Sequence, residues 1–161
     1  MPARRPGRLG AWVVIVGIGC SSPPPSMGSE LATLLRSAPL EWRASDRRYT
    51  LEAEGWRSFQ PILNQEGGDP LIVVVRLNAD APIPPAVSVV ELQLVKGESV
   101  WSPTEAPEVR AETGSSSMEI VVRSGPRDWV PGDSVDLIAK VQDGGATSLV
   151  RAPRFVIARV D

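Results

Sequence analysis

Four aspartates, Asp128, Asp133, Asp136 and Asp143, form the densest acidic group in this chain. Carboxylates near loop ends are the groups calcium takes, six to eight oxygens at a time. Their spacing matches no calcium loop, however. Asp136 is expected on the solvent face of a strand and Asp143 in a turn, so ordinary turn chemistry is preferred and no metal site is expected. A second acidic set, Glu105, Glu108 and Glu112, lies beside Trp101 in "WSPTEAPEVRAE". Paired carboxylates can hydrolyse a glycosidic bond without histidine, so such a hydrolase is a reaction the sequence leaves open. The simpler reading of the same segment is a proline-broken polar connection. Gly114 to Ser117 lacks the G-x-S-x-G frame of a nucleophile elbow and is read as a flexible loop tip. Histidine is absent altogether, which removes the usual proton shuttle, the His-centred triads and most zinc sites. No catalytic residue and no cofactor are expected.

Aromatic side chains are the other candidates. Trp42, Trp56, Trp101 and Trp129 could line a carbohydrate or peptide groove, although core packing is the default for large aromatics in a small domain. Trp56 follows Gly55 outside clear alternation, and Trp101 precedes Ser102-Pro103. These two are the candidate binding surface.

The remaining reactive group is the sole cysteine, Cys20. Arg4, Arg5 and Arg8 open the chain without an acid, and Leu9 to Gly19 is an uncharged run of eleven residues. This is the layout of a signal peptide, and the run is shorter than the roughly 20 residues a spanning helix needs. Gly17-Ile18-Gly19-Cys20 resembles a bacterial lipobox, with Gly17 standing where that family prefers Leu or Val. The resemblance implies that Cys20 is the lipidation site, becoming a diacylglyceryl thioether and the new N-terminus. It further implies an exported, lipid-anchored protein of the bacterial envelope. Because Ser21 replaces the aspartate that retains some Gram-negative lipoproteins at the inner membrane, the outer membrane or cell surface is the expected address. The alternative is a plain secretory leader carrying a chance cysteine. "SSPPPSMGS" (Ser21 to Ser29) then favours an extended polyproline spacer.

Composition bounds the rest. At 161 residues there is room for one domain. The expected division is a signal peptide at 1–19, a lipid-anchored Ser/Pro tether with a possible short helix at 20–38, and one folded domain at 39–161. With the three leader arginines set aside, 14 basic residues meet 19 acidic ones, a net charge of −5. No cluster of Lys and Arg marks a nucleic-acid surface.

The elements that must position these residues are short strands. Ser29 to Arg36 could form one or two helical turns capped by Ser29 before Pro39 stops it. "LEWRA" and "RYTLEAE" alternate about Ser45-Asp46 and place Leu40 and Trp42, then Tyr49, Leu51 and Ala53, on single faces of a hairpin. "LIVVVRL" reads as a central strand buried on both sides. "VVELQLV" places Val90, Leu92 and Leu94 together and turns at Lys96-Gly97 into Ser99-Val100-Trp101. "MEIVVR", "VDLIAKVQ", "TSLVRA" and "RFVIARV" complete seven to nine strands. The expected fold is all-β: an antiparallel, immunoglobulin-like two-sheet sandwich, with a small barrel as the alternative. Trp129-Val130-Pro131-Gly132, leading into Val135, resembles the corner and following strand of fibronectin type III and related immunoglobulin-like modules. That resemblance implies that Trp129 plugs the core below the corner, while Val135 stands where the family usually has tyrosine.

Three functions follow as expectations: a non-catalytic, tethered binding or structural module; an inhibitor or accessory module for an exported enzyme; and a histidine-free glycan hydrolase. The expected partners are the membrane, through the N-terminal lipid, and an envelope protein or glycan.

Overall fold

The computed structural model describes residues 27–60 and 68–161. Cys20, the leader and the tether up to residue 26 therefore lie outside the described residues, while Met27 to Ser29, expected in the extended spacer, are helical. Among the described residues one helix, α1 (Met27–Arg36), precedes eleven strands: β1 (Glu41–Ala44), β2 (Arg47–Ser58), β3 (Leu71–Ala79), β4 (Ser88–Lys96), β5 (Ser99–Trp101), β6 (Glu108–Ala111), β7 (Ser117–Gly125), β8 (Ser134–Asp143), β9 (Ala146–Arg151), β10 (Phe155–Val156) and β11 (Ala158–Val160). One sheet runs β1-β2-β3-β7-β6, with β11 beside β2, and the other runs β10-β8-β4-β5, with β9 beside β8. Within these, β2-β3-β7-β6 and β5-β4-β8-β9 reproduce the A-B-E-D and C′-C-F-G order of the immunoglobulin sandwich. The fold is the expected one, with two strands beyond the expected range.

Both additional strands have a physical origin. β6 lies in the segment expected to be a proline-broken connection; its four residues are all exposed, so no buried face marks it in the sequence. Its strand geometry comes from backbone pairing with β7. "RFVIARV" divides at Ile157, where the chain leaves β8 and crosses to run parallel to β2. Ile157 is buried at the crossing, and its N–H donates to the Asp133 carbonyl while its own carbonyl accepts from Gly132.

The inner faces match the alternation of the sequence. Tyr49 and Leu51 of β2, the odd positions of β3 from Leu71 to Leu77, Met118, Ile120 and Val122 of β7, and Val135, Leu137, Ala139 and Val141 of β8 form one core. Gly55 of β2 is held to glycine by close approach, since a Cβ there would stand 2.7 Å from the Phe155 ring. The β1–β2 turn places Ser45 and Asp46 at φ 49° and 60°, the two positive values of a type I′ hairpin turn. The corner before β8 is a Pro-Gly turn with Gly132 at φ 95°, closed by the Asp133 N–H to the Val130 carbonyl. Below it Trp129 is 3% exposed, in the core.

Four local expectations are corrected. Leu40 is exposed and lies ahead of β1 instead of sharing its inner face. Val90 is exposed because the β4–β8 register shifts between Val89 and Glu91, a bulge that turns one residue outward; Val89 packs on the core instead. β3 is central, but Arg76 on its second face is exposed, so that face is only partly covered. Finally, α1 begins two residues before Ser29, so Ser29 is inside the helix and its carbonyl accepts from the Thr33 hydroxyl at 2.8 Å.

Candidate functional site

A second, smaller core sits on the outer face of the β4-β8 sheet. Ala32 and Leu35, three residues apart on one face of α1, pack with Ala38 on Val95 and Ile138, flanked by Val100 and Leu149. Asp136 belongs to this covered face. Its strand position is the expected outward one, yet the residue is 1% exposed, because α1 and the chain after β9 lie over it. Arg154 holds its carboxylate with two bonds of 3.0 and 2.9 Å, and Arg36 adds one of 2.7 Å while also donating to the Gly97 carbonyl. Arg151 approaches to 4.0 Å. Burial by itself pushes the Asp136 carboxyl up, and the hydrogen bonds and charges of Arg154 and Arg36 outweigh it, leaving the group below the usual carboxylate range.

The other three aspartates take separate duties. Asp128 is exposed in the loop before Trp129. Asp133 accepts from the Val130 N–H and from Lys96 Nζ, both at 2.8 Å. The Lys96 bond is the main cause holding its carboxyl below the usual range, and the same ammonium lies 5.5 Å from the centre of the Trp129 ring. Asp143, expected in a solvated turn, is the buried last residue of β8 and accepts from the Tyr49 hydroxyl at 2.9 Å. Tyr49 in turn stacks on Trp42, with ring centroids 5.5 Å apart. Among the described residues no group of three potential ligands is placed to hold a metal ion.

Burial first, and then the bond to Asp143 and its charge, push the Tyr49 hydroxyl up to about 12 from 10.0. A raised phenol binds its proton more tightly in the folded state, so its contribution is complete below pH 10 and is lost as pH climbs through about 12. Tyr49→Phe is therefore expected to be less stable than the parent at neutral pH. Between pH 10 and 12 that gap should shrink by about 2–3 kcal/mol at most. Urea titrations of both proteins across this range check it, and a constant gap would contradict the buried phenol–carboxylate bond.

Of the carboxylates of "WSPTEAPEVRAE", Glu108 is tied into ion pairs, while Glu105 and Glu112 are exposed. On the outer face of the first sheet, ion pairs run from Glu54 to Arg76, Glu119, Arg110, Glu108 and Arg123, with N···O distances of 2.9–3.6 Å. The Arg110 bond is the main cause holding the Glu108 carboxyl below its usual value, whereas a general acid needs the opposite shift. Glu108 opens β6 and Glu112 follows its last residue, so their backbones stand roughly 13 Å apart along an extended chain.

The two candidate tryptophans do not meet. Trp56 is half-buried on β2, paired with Ile72 and Ala158 in the first sheet. Trp101, on β5 of the second sheet, is half-buried and packs against the main core. One groove of about 360 Å³, lined by Val89 to Leu92 and Ser102 to Pro107, begins just after Trp101, and a more apolar one lies at the end of the sandwich where the β3–β4 and β6–β7 loops meet. Ile83, Pro84, Pro85, Val87, Val109 and Met118 line an apolar groove of about 350 Å³. Its walls are joined by backbone: the Ala79 N–H donates to Ser116 and the Ile83 N–H to Ser115, both at 2.8 Å. The Gly114–Ser117 segment is thus a hydrogen-bonded turn supporting the groove, with the Ser115 hydroxyl also accepting from the Ser117 N–H. Val109 is 55% exposed on the edge strand β6. The sequence marks Glu112 and Gly114 to Ser117 on one wall, but as a carboxylate and a loop tip; the signal for the apolar wall is "APIPPAV", a proline-rich run in a connection.

Fold and site together define an immunoglobulin-like β-sandwich with an apolar groove at one loop end and a helix strapped across one sheet. Compared with known protein families and with curated proteins, the chain matches none.

Proposed function

We propose that this chain is a lipid-anchored bacterial envelope protein whose sandwich acts by contact rather than by catalysis. The observation that carries this reading is the sole cysteine closing Gly17-Ile18-Gly19-Cys20, directly after an eleven-residue uncharged run. Two or three acyl chains on that residue, at about 0.8 kcal/mol per buried methylene, make a stable tether. The tether confines the module near the membrane and raises its effective concentration for partners there. The apolar groove at the loop end supports a binding role over that of a mere spacer, and an envelope protein or glycan is the partner class.

Expressed with its own leader in a bacterial host, the parent protein is expected in the detergent phase, with a mass raised by the diacylglyceryl group. Cys20→Ser should move to the aqueous phase with unchanged thermal unfolding. Equal detergent partition of the two proteins would overturn the anchoring.

A further inference from the structure

The helix α1 carries a wider apolar arc than its own domain covers. Ala32 and Leu35 are buried on the sheet, but Met27, Leu31 and Leu34 are 88%, 41% and 63% exposed. These three fall at i, i+4 and i+7, one continuous stripe beside the buried face. Polar Ser29 and Thr33 and the tied Arg36 lie on other sides of the helix. Such a stripe needs an occupant, and the chain ahead of it names one. Met27 is seven residues beyond Cys20, a span of at most about 25 Å when fully extended.

We infer that the Met27-Leu31-Leu34 stripe of α1 docks on the lipid surface to which Cys20 is anchored, fixing how the sandwich stands on the membrane. This rests on the anchored reading above and deepens it. The contact is apolar rather than electrostatic: α1 carries one acid, Glu30, and one base, Arg36, and Arg36 is engaged with Asp136 and Gly97. It therefore needs no anionic lipid and survives salt. The Arg36–Asp136 bond holds the helix to the body, so a docked helix orients the whole domain and its groove.

Acylation consumes the only native thiol, which leaves the mature protein open to site-directed spin labelling. Met27→Cys, Leu34→Cys and Thr33→Cys are labelled in the acylated full-length protein, whose mass verifies the anchor, and reconstituted in phosphatidylcholine vesicles. Accessibility to oxygen and to a water-soluble nickel chelate then reports depth. Labels at positions 27 and 34 are expected about 5–10 Å below the headgroup boundary, with the label at 33 in water and no change on adding salt. Leu31→Glu should lift the label at 34 into water while thermal unfolding stays unchanged, since Leu31 lies outside both cores. An acylated protein whose labels all remain in water overturns the docking and leaves the anchor standing. Burial that depends on anionic lipid, or protection of position 34 without vesicles that grows with protein concentration, overturns it in favour of charge attraction or a second copy. Absence of the acyl mass overturns the anchored reading, and the docking with it.

Discussion

Trp129→Ala is expected to lower the stability of the folded domain by about 3–5 kcal/mol, the usual loss when a large buried aromatic is truncated. The indole is almost fully buried where the β7–β8 corner closes the main core. Its surroundings are braced and cannot collapse into the space. The Trp129 and Arg127 carbonyls accept from Arg57 Nη1 at 3.1 and 2.7 Å, and Arg57 Nε donates to the Asp69 carbonyl at 2.9 Å. On the other side the corner is pinned to Ile157 through Gly132 and Asp133. Truncation leaves a cavity inside this frame and takes the aromatic face from under Lys96. For a domain of this size the melting temperature should fall by roughly 10–20 °C. Total stabilities are typically about 5–15 kcal/mol, so the variant approaches the threshold of folding. A loss under about 1 kcal/mol in urea denaturation would show that the indole is not a core residue.

Replacing Asp136 by alanine should produce the second large effect, and a localised one. Removing one partner of a buried ionic cluster typically costs about 3–5 kcal/mol. Here Arg36 and Arg154 are 30% and 56% exposed, so water can take over their charges, and a loss of roughly 2–3 kcal/mol is expected. The damage falls on α1, whose other holds on the body include the Arg36 bond to the Gly97 carbonyl and the small cluster of Ala32, Leu35, Ala38, Val95 and Ile138. Amide exchange of α1 should accelerate well before that of β3 or β8. The pH dependence has a definite sign. The folded Asp136 carboxyl lies below its ordinary 3.8, so its contribution is present above that value and is lost as pH falls through the lower folded value. The stability gap between the parent and Asp136→Ala should accordingly close in acid. Uniform acceleration of exchange across both sheets would refute a role specific to the helix.

Much of the sandwich was legible in the alternation of apolar residues. The hairpin turns at Ser45-Asp46 and Lys96-Gly97, the inner faces of β7 and β8, and the Trp129 corner are all local patterns, readable because a strand repeats every two residues and turns need particular φ values. The site was less legible. Trp56 and Trp101 were chosen for interrupting that alternation, but breaking a local pattern does not place two side chains together, and they lie in different sheets. The groove is assembled from Ile83 to Val87 and Val109 to Met118, segments that meet only through the pairing of β3 with β7.

By itself the chain determined an all-β, two-sheet sandwich, because period-two burial names the inward face of each strand without reference to any other segment. It could not determine what happens on the outward face. Whether Asp136 meets water or three arginines is decided by α1 together with β9 and the chain after it, which bring Arg36 from 100 residues away and Arg151 and Arg154 from the C-terminal side. The same holds for β6, whose strand geometry is imposed by the backbone of β7, and for Ile157, where the chain changes sheets to fill the space beside the Pro-Gly corner. In each case the deciding contact is non-local, and non-local contacts leave no period in the sequence to read.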